Sequence, residues 1–150
     1  MLAIGYRCRF EPHHLECVRI AHDRQFGAVK VIDAHFGFNI DPGVWRLKRA
    51  LSGGGPLMDV GIYRVLAESG WFGLDPAFNY GGLRGLRSDG QAIDPPSTDQ
   101  FAVEMDDFAQ CIRRKTPTRV PGEEGLTDVR IMTAIYESAR AGKPIQLHRA

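Results

Sequence analysis

The sequence predicts an α+β domain: a small, mostly antiparallel sheet with helices packed on one face. Three observations lead there. Residues 28–40 alternate strictly, with Ile32, Ala34, Phe36, Phe38 and Ile40 on one face and Val29, Val31, Asp33, His35 and Gly37 on the other. The last third of the chain switches to helical spacing, first in Phe101, Met105, Phe108 and Ile112, then in Leu126, Val129, Met132, Ile135, Tyr136 and Ala139. Composition is that of an ordinary globular domain, 43% hydrophobic and 25% charged. A sheet with one apolar and one mixed face buries the apolar side under helices. The chain is read as a single domain, residues 1–150.

The elements follow in order. Leu2 to Phe10 is short, apolar and aromatic, and reads as strand-like. Glu11-Pro12 opens a helix, since proline suits a first turn where its missing N–H is not needed. Leu15, Val18 and Ala21 are its expected buried side, and Gly27 its expected C-terminal cap. After the 28–40 strand, Asp41-Pro42-Gly43 is a turn. Val44 to Leu51 reads as a short helix. The stretch from Gly53 to Gly73 reads as a glycine-rich lead and then a helix. Leu57, Val60, Tyr63 and Leu66/Ala67 recur at helical spacing, and Gly70 and Gly73 stop the run. Residues 74–77 form a turn, and Phe78 to Leu86 a weak, glycine-interrupted strand. A polar loop leads to a capping box at Ser97–Gln100, and Thr116-Pro117 ends the helix that follows. Gly122-Glu123-Glu124 opens the last helix with acids suited to its dipole, and Gly142-Lys143-Pro144 closes it. Ile145 to Leu147 adds a final short strand.

Several function classes fall away. A formal net charge of +1 gives no electrostatic case for nucleic acid or an anionic membrane surface. No apolar run is long enough to span a bilayer. Met1 to Tyr6 run straight into Arg7-Cys8-Arg9, which is not the order of a signal peptide, so a cytoplasmic location is expected. Cys8, Cys17 and Cys111 are widely spaced and odd in number, which fits neither a disulfide framework nor a zinc site. His13, His14, Glu16 and Cys17 crowd one helix, but only His13 and Cys17 share a face, so no metal is expected. The glycines at 53–55 lack the Gly-Lys-Ser/Thr of a P-loop, and Met58 stands where a dinucleotide fingerprint needs its third glycine.

Asp59 and Tyr63 are four residues apart and share a helical face. A carboxylate beside a phenol suits proton transfer at a substrate oxygen. The same spacing also fits a first-turn acid favoured by the helix dipole and a half-buried aromatic residue.

Several stretches resemble the C-terminal, substrate-side domain of the Gfo/Idh/MocA oxidoreductases, in the glucose–fructose oxidoreductase-like branch. They are residues 4–12 (IGYRCRFEP), Trp45-Arg46-Leu47, residues 53–63 (GGGPLMDVGIY), residues 74–80 (LDPAFNY) and residues 121–130 (PGEEGLTDVR). The resemblance implies an NAD- or NADP-dependent enzyme moving hydride to or from a sugar or polyol. Asp59 and Tyr63 match the family's catalytic aspartate and tyrosine, with Tyr63 handling the proton and Asp59 orienting substrate and tyrosine. Tyr80, Arg7 and Trp45 match substrate-pocket positions. The nucleotide-binding half, with its glycine fingerprint and its Glu-Lys-Pro lysine, is not in this sequence, and the strands relatives carry between the positions of Gly73 and Leu74 are missing. The domain is therefore expected to be incomplete, to hold no cofactor site of its own, and to leave helix faces such as Phe101, Met105 and Phe108 uncovered. The expected partner is a separate Rossmann domain or a second copy of the chain. The alternative is a non-catalytic remnant or interaction module.

Overall fold

The computed structural model describes residues 1–33, 41–45, 48, 64–77 and 79–147. Its centre is a four-stranded antiparallel sheet of β1 (Val29–Asp33), β2 (Arg64–Ala67), β3 (Trp71–Asp75) and β4 (Arg84–Arg87), in spatial order β1-β2-β3-β4. The α+β class is thus observed, with three helices among the described residues: α1 (Pro12–His22), α2 (Gln100–Arg114) and α3 (Gly122–Ala141).

Register decides which residues share a face. Ile32 pairs with Val65, Val65 with Phe72, and Phe72 with Arg87, so these four lie on one side. Val31, Leu66 and Trp71 follow one another across the other side. The first side carries the core. Phe72 and Leu74 are buried under Cys17 and Ile20 of α1, with Phe26 and Ile93 closing the cluster. Phe26 stacks on Phe72 with ring centroids 6.1 Å apart.

β2 and β3 correct the reading of 53–73 as a helix running through Leu66 and Ala67. Residues 64–67 are strand, and Gly73 sits inside β3 instead of stopping a helix. Leu74 and Asp75 likewise belong to β3 and not to a turn. Glu68 and Ser69 turn the chain between β2 and β3. The Glu68 carboxylate accepts from Ala28 N at 3.0 Å and pairs with Lys30 at 2.8 Å, tying this turn to β1.

Gly85 is the tightest point of the sheet. A Cβ there would lie 2.0 Å from Ile93 Cβ and 2.6 Å from the Ile93 carbonyl oxygen. Because part of that clash is with backbone, Gly85→Ala is expected to cost about 2 kcal/mol, within the usual range for overpacking. A denaturant midpoint unchanged from the parent would refute this.

The helix ends follow capping chemistry more closely than the apolar stripes do. Glu11 caps α1 through its own carboxylate, with Pro12 at the first helical position. The helix stops at His22, ahead of Gly27, which instead takes φ +81° in the turn before β1. Asp99, and not Ser97, caps α2 by accepting from Phe101 N and Ala102 N. Gly142 ends α3 in the left-handed conformation, as expected.

The buried sides differ from the reading of sequence. Leu15 and Val18 of α1 are exposed, while His13, His14, Cys17 and Ile20 are buried. Leu126, Val129 and Ile135 of α3 are exposed, and Gly125 and Ala134 are its buried residues. Phe101 and Met105 of α2 are exposed, Met105 at 70%, so this face is uncovered. The expected N-terminal strand reduces to a bridge between Ala3 and Pro121, followed by a 3-10 turn at Arg7–Arg9. The weak strand of residues 78–86 is the shorter β4, and no strand forms at residues 145–147. The Asp41-Pro42-Gly43 turn is present, with Gly43 N donating to Asp41 Oδ1 at 2.7 Å. Residues 34–40 of the first strand and most of 44–51 lie outside the described residues.

Candidate functional site

The N-terminus of α1 builds an unusual polar cluster. The Glu11 carboxylate engages two imidazoles, His13 Nδ1 at 2.8 Å and His14 Nδ1 at 2.5 Å, and also accepts from the His14 backbone N–H at 2.9 Å. All three residues are buried. Burial acts to raise the Glu11 pKa, but the bonds from His13 and His14 outweigh it, so Glu11 stays below the ordinary carboxylate range. Burial pushes His14 below the ordinary histidine value, partly opposed by Glu11. An ionised carboxylate only accepts hydrogen bonds, so each neutral ring carries its proton on Nδ1. This arrangement explains the buried histidines of α1.

A cavity of about 430 Å³ opens beside this cluster. Glu11 and His13 form one wall. Residues 80–83 and 94–98 form the others, contributing the Tyr80 ring, Pro95, Pro96, Asp94 and the hydroxyls of Ser97 and Thr98. Gln100, the first residue of α2, completes the lining. Behind it, Arg7 Nη1 donates to Gln100 Oε1 at 2.8 Å. The Arg7 guanidinium lies over the Tyr80 ring, 4.7 Å from its centroid, and Phe101 meets Tyr80 at 5.6 Å. One turn further along α2, Glu104 is raised above the carboxylate range by burial, with Arg7 opposing the shift.

Two of the residues singled out from sequence, Arg7 and Tyr80, are therefore in contact at the edge of the cavity. Trp45 is 54% exposed and is not part of the cavity lining. Asp59 and Tyr63 lie outside the described residues. Glu11, His13 and Gln100 were not singled out as binding residues. The sequence reading weighed His13 only as a metal donor, with His14, Glu16 and Cys17, and Glu11 only as a helix opener.

No group of three or more His, Cys, Asp or Glu side chains with metal-binding geometry occurs among the described residues. A dinucleotide does not fit the cavity either. Its described walls carry Glu11 and Asp94 and no lysine or arginine, the reverse of what a pyrophosphate requires. None of the three cysteines is in a disulfide. No helix among the described residues is long and apolar enough to cross a membrane.

Comparison with known proteins places these features. Residues 14–114 match the family described as GFO/IDH/MocA C-terminal domain, and residues 89–147 match the oxidoreductase family, C-terminal alpha/beta domain. The chain is similar to a D-xylose 1-dehydrogenase (NADP(+)) of Haloferax volcanii, at 32% identity over 93 residues. That alignment covers 57% of this chain and 28% of the relative. Its fold matches the crystal structure of aldose-aldose oxidoreductase from Caulobacter crescentus, complexed with glycerol, with a TM-score of 0.87 at 28% identity. The match covers 97% of this chain and 64% of that one, so the chain spans less than two thirds of either relative. With a family match over more than half its length, the chain belongs to the Gfo/Idh/MocA oxidoreductases and corresponds to their C-terminal domain.

Proposed function

We propose that this chain is the substrate-side half of an NAD- or NADP-dependent sugar or polyol oxidoreductase. The observation that carries the reading is family membership, together with two sugar oxidoreductases among the relatives by name. Hydride chemistry belongs to the nicotinamide, which this reading places on a separate Rossmann domain. Within this chain, Tyr63 holds or takes the proton at the substrate oxygen, and Asp59 orients both. Arg7, Tyr80 and Trp45 are assigned to the substrate side.

The test is complementation. The purified chain is mixed with a separately produced family Rossmann domain carrying the glycine fingerprint and the Glu-Lys-Pro lysine. D-xylose-dependent reduction of NADP is expected from the mixture and from neither part alone. Tyr63→Phe is expected to lower turnover about a hundredfold, the lower end of the range for general acid–base catalysis. A mixture inactive on D-xylose and on other aldoses and polyols would overturn the reading.

The exposure of Phe101 and Met105 favours a second reading, an interaction module that associates through this helix face. It predicts self-association or partner binding. A monodisperse monomer by light scattering would count against it.

A further inference from the structure

We propose that His13 is a positioning residue for a neutral polyhydroxylated ligand in the cavity, accepting a hydroxyl hydrogen bond at Nε2 while Glu11 holds its other nitrogen. The proposal rests on the sugar or polyol reading above and adds a residue and a charge selectivity that the reading does not contain.

The Glu11 carboxylate accepts a hydrogen bond from His13 Nδ1–H at 2.8 Å, which fixes the neutral ring as the Nδ1–H tautomer. Nε2 is then an acceptor. His13 lines the cavity, and its hydrogen bond to Glu11 is made at Nδ1. The ring is also held still, because Glu11 is itself buried and anchored to the helix by the His14 N–H. A fixed acceptor costs little ordering entropy when a ligand hydroxyl arrives.

The rest of the wall sets the ligand class. Asp94 adds a carboxylate, while Ser97, Thr98 and Gln100 add groups that donate or accept. The Tyr80 ring, 77% exposed, and Pro95 and Pro96 offer apolar surface for the C–H face of a sugar. Among the described residues the lining has two acids and no lysine or arginine. The Arg7 guanidinium donates to Gln100 and lies over the Tyr80 ring. A phosphate or carboxylate on the ligand would meet like charge at Glu11 and Asp94 and find no cation in the lining to pair with.

The experiment is NMR titration of the isotope-labelled full chain. Long-range proton–nitrogen spectra are expected to show a pyridine-type Nε2 and a pyrrole-type Nδ1 for His13. The reverse pattern would overturn the proposal. D-xylose is expected to shift the His13 Nε2 signal, and D-xylose 5-phosphate to bind at least about tenfold more weakly. His13→Asn keeps an N–H for Glu11 but loses the outer acceptor, and is expected to weaken D-xylose about fivefold, the worth of one neutral hydrogen bond. His13→Gln reaches the Nε2 position with an amide oxygen and is expected to recover affinity to within about twofold. Circular dichroism of both variants separates a binding loss from unfolding. Equal or tighter binding of the phosphate ester, or an Asn variant that binds as well as the parent, would overturn the proposal and leave the oxidoreductase reading intact. So would a complemented enzyme active on D-xylose whose isolated chain shows no shift at His13. A chain that binds D-xylose at His13 yet gives no active mixture would sink the oxidoreductase reading instead.

Discussion

Replacing Phe72 with alanine is expected to cost about 4 kcal/mol, since it is the largest fully buried side chain among the described residues. Phe72 is 1% exposed and lies at the middle of the core cluster, stacked on Phe26 and covered by α1. The cluster is small, so the void has few neighbours able to collapse into it. At about 3 °C per kcal/mol for a chain of this size, the melting temperature is expected to fall by roughly 12 °C. Leu66 supplies the contrast. It sits on the opposite face of the same sheet at 40% exposure, and Leu66→Ala is expected to cost about 0.5 kcal/mol. Equal losses at the two positions would mean that the buried face of the sheet has been assigned to the wrong side.

Glu11→Ala is expected to cost about 3 kcal/mol. The substitution removes the cap of α1 and leaves the Nδ1–H groups of His13 and His14 and one backbone N–H without their acceptor, in a buried place. Its signature is a changed pH dependence. His14 is held below its ordinary value by burial, so in mildly acidic solution the unfolded chain binds a proton that the folded chain refuses. Glu11 is held low by its hydrogen bonds against the effect of burial, so the same holds in the carboxylate range. For both groups the unfolded state binds more protons, and stability therefore rises with pH. The contribution of these two groups is expected to be fully present above about pH 7. It should fall first as pH drops below about 6.5, from His14, and again below about 4.5, from Glu11. In the alanine variant the second loss should shrink, since the group responsible is gone. Thermal melts followed by circular dichroism between pH 8 and pH 4 check both points. In a Glu104→Gln background, which removes the carboxyl raised by burial beside Arg7, a gain in stability on acidification from pH 7 to pH 5 would contradict the environments described for these two groups.

The helix ends were legible because their causes are local. Glu11-Pro12, Gly122-Glu123-Glu124 and Gly142 carry their own capping chemistry, and each marks a real boundary. The buried faces were less legible. Leu15 and Val18 outrank two histidines on any hydropathy scale, yet the histidines are inside, where Glu11 partners the Nδ1 atom of each. Residues 64–75 were misread for a different reason. Leu66 and Ala67 continue the helical period of Leu57, Val60 and Tyr63, and only pairing with residues far along the chain, such as Ile32 and Arg87, makes these segments strands. Arg7 and Tyr80, named from the family resemblance, stand in contact. Gln100 meets Arg7 across 93 positions of sequence, a closeness that no local pattern announces.

Among the described residues β1 is an edge strand, and that edge bears on how the sheet meets other chains. An edge strand offers unpaired backbone donors and acceptors to any passing strand, and growth by edge addition leads to insoluble aggregates. Here the ladder between β1 and β2 is broken by a bulge between Val29 and Val31, and Lys30 stands at the break, paired with Glu68. Both features obstruct a flat, in-register docking of further backbone. The exposed Val31 and Ile32 on this strand would otherwise make it the most adhesive segment of the sheet. Three residues of irregularity thus act as a terminator, keeping a sheet whose described strands end at β1 from serving as a template for its own polymerisation.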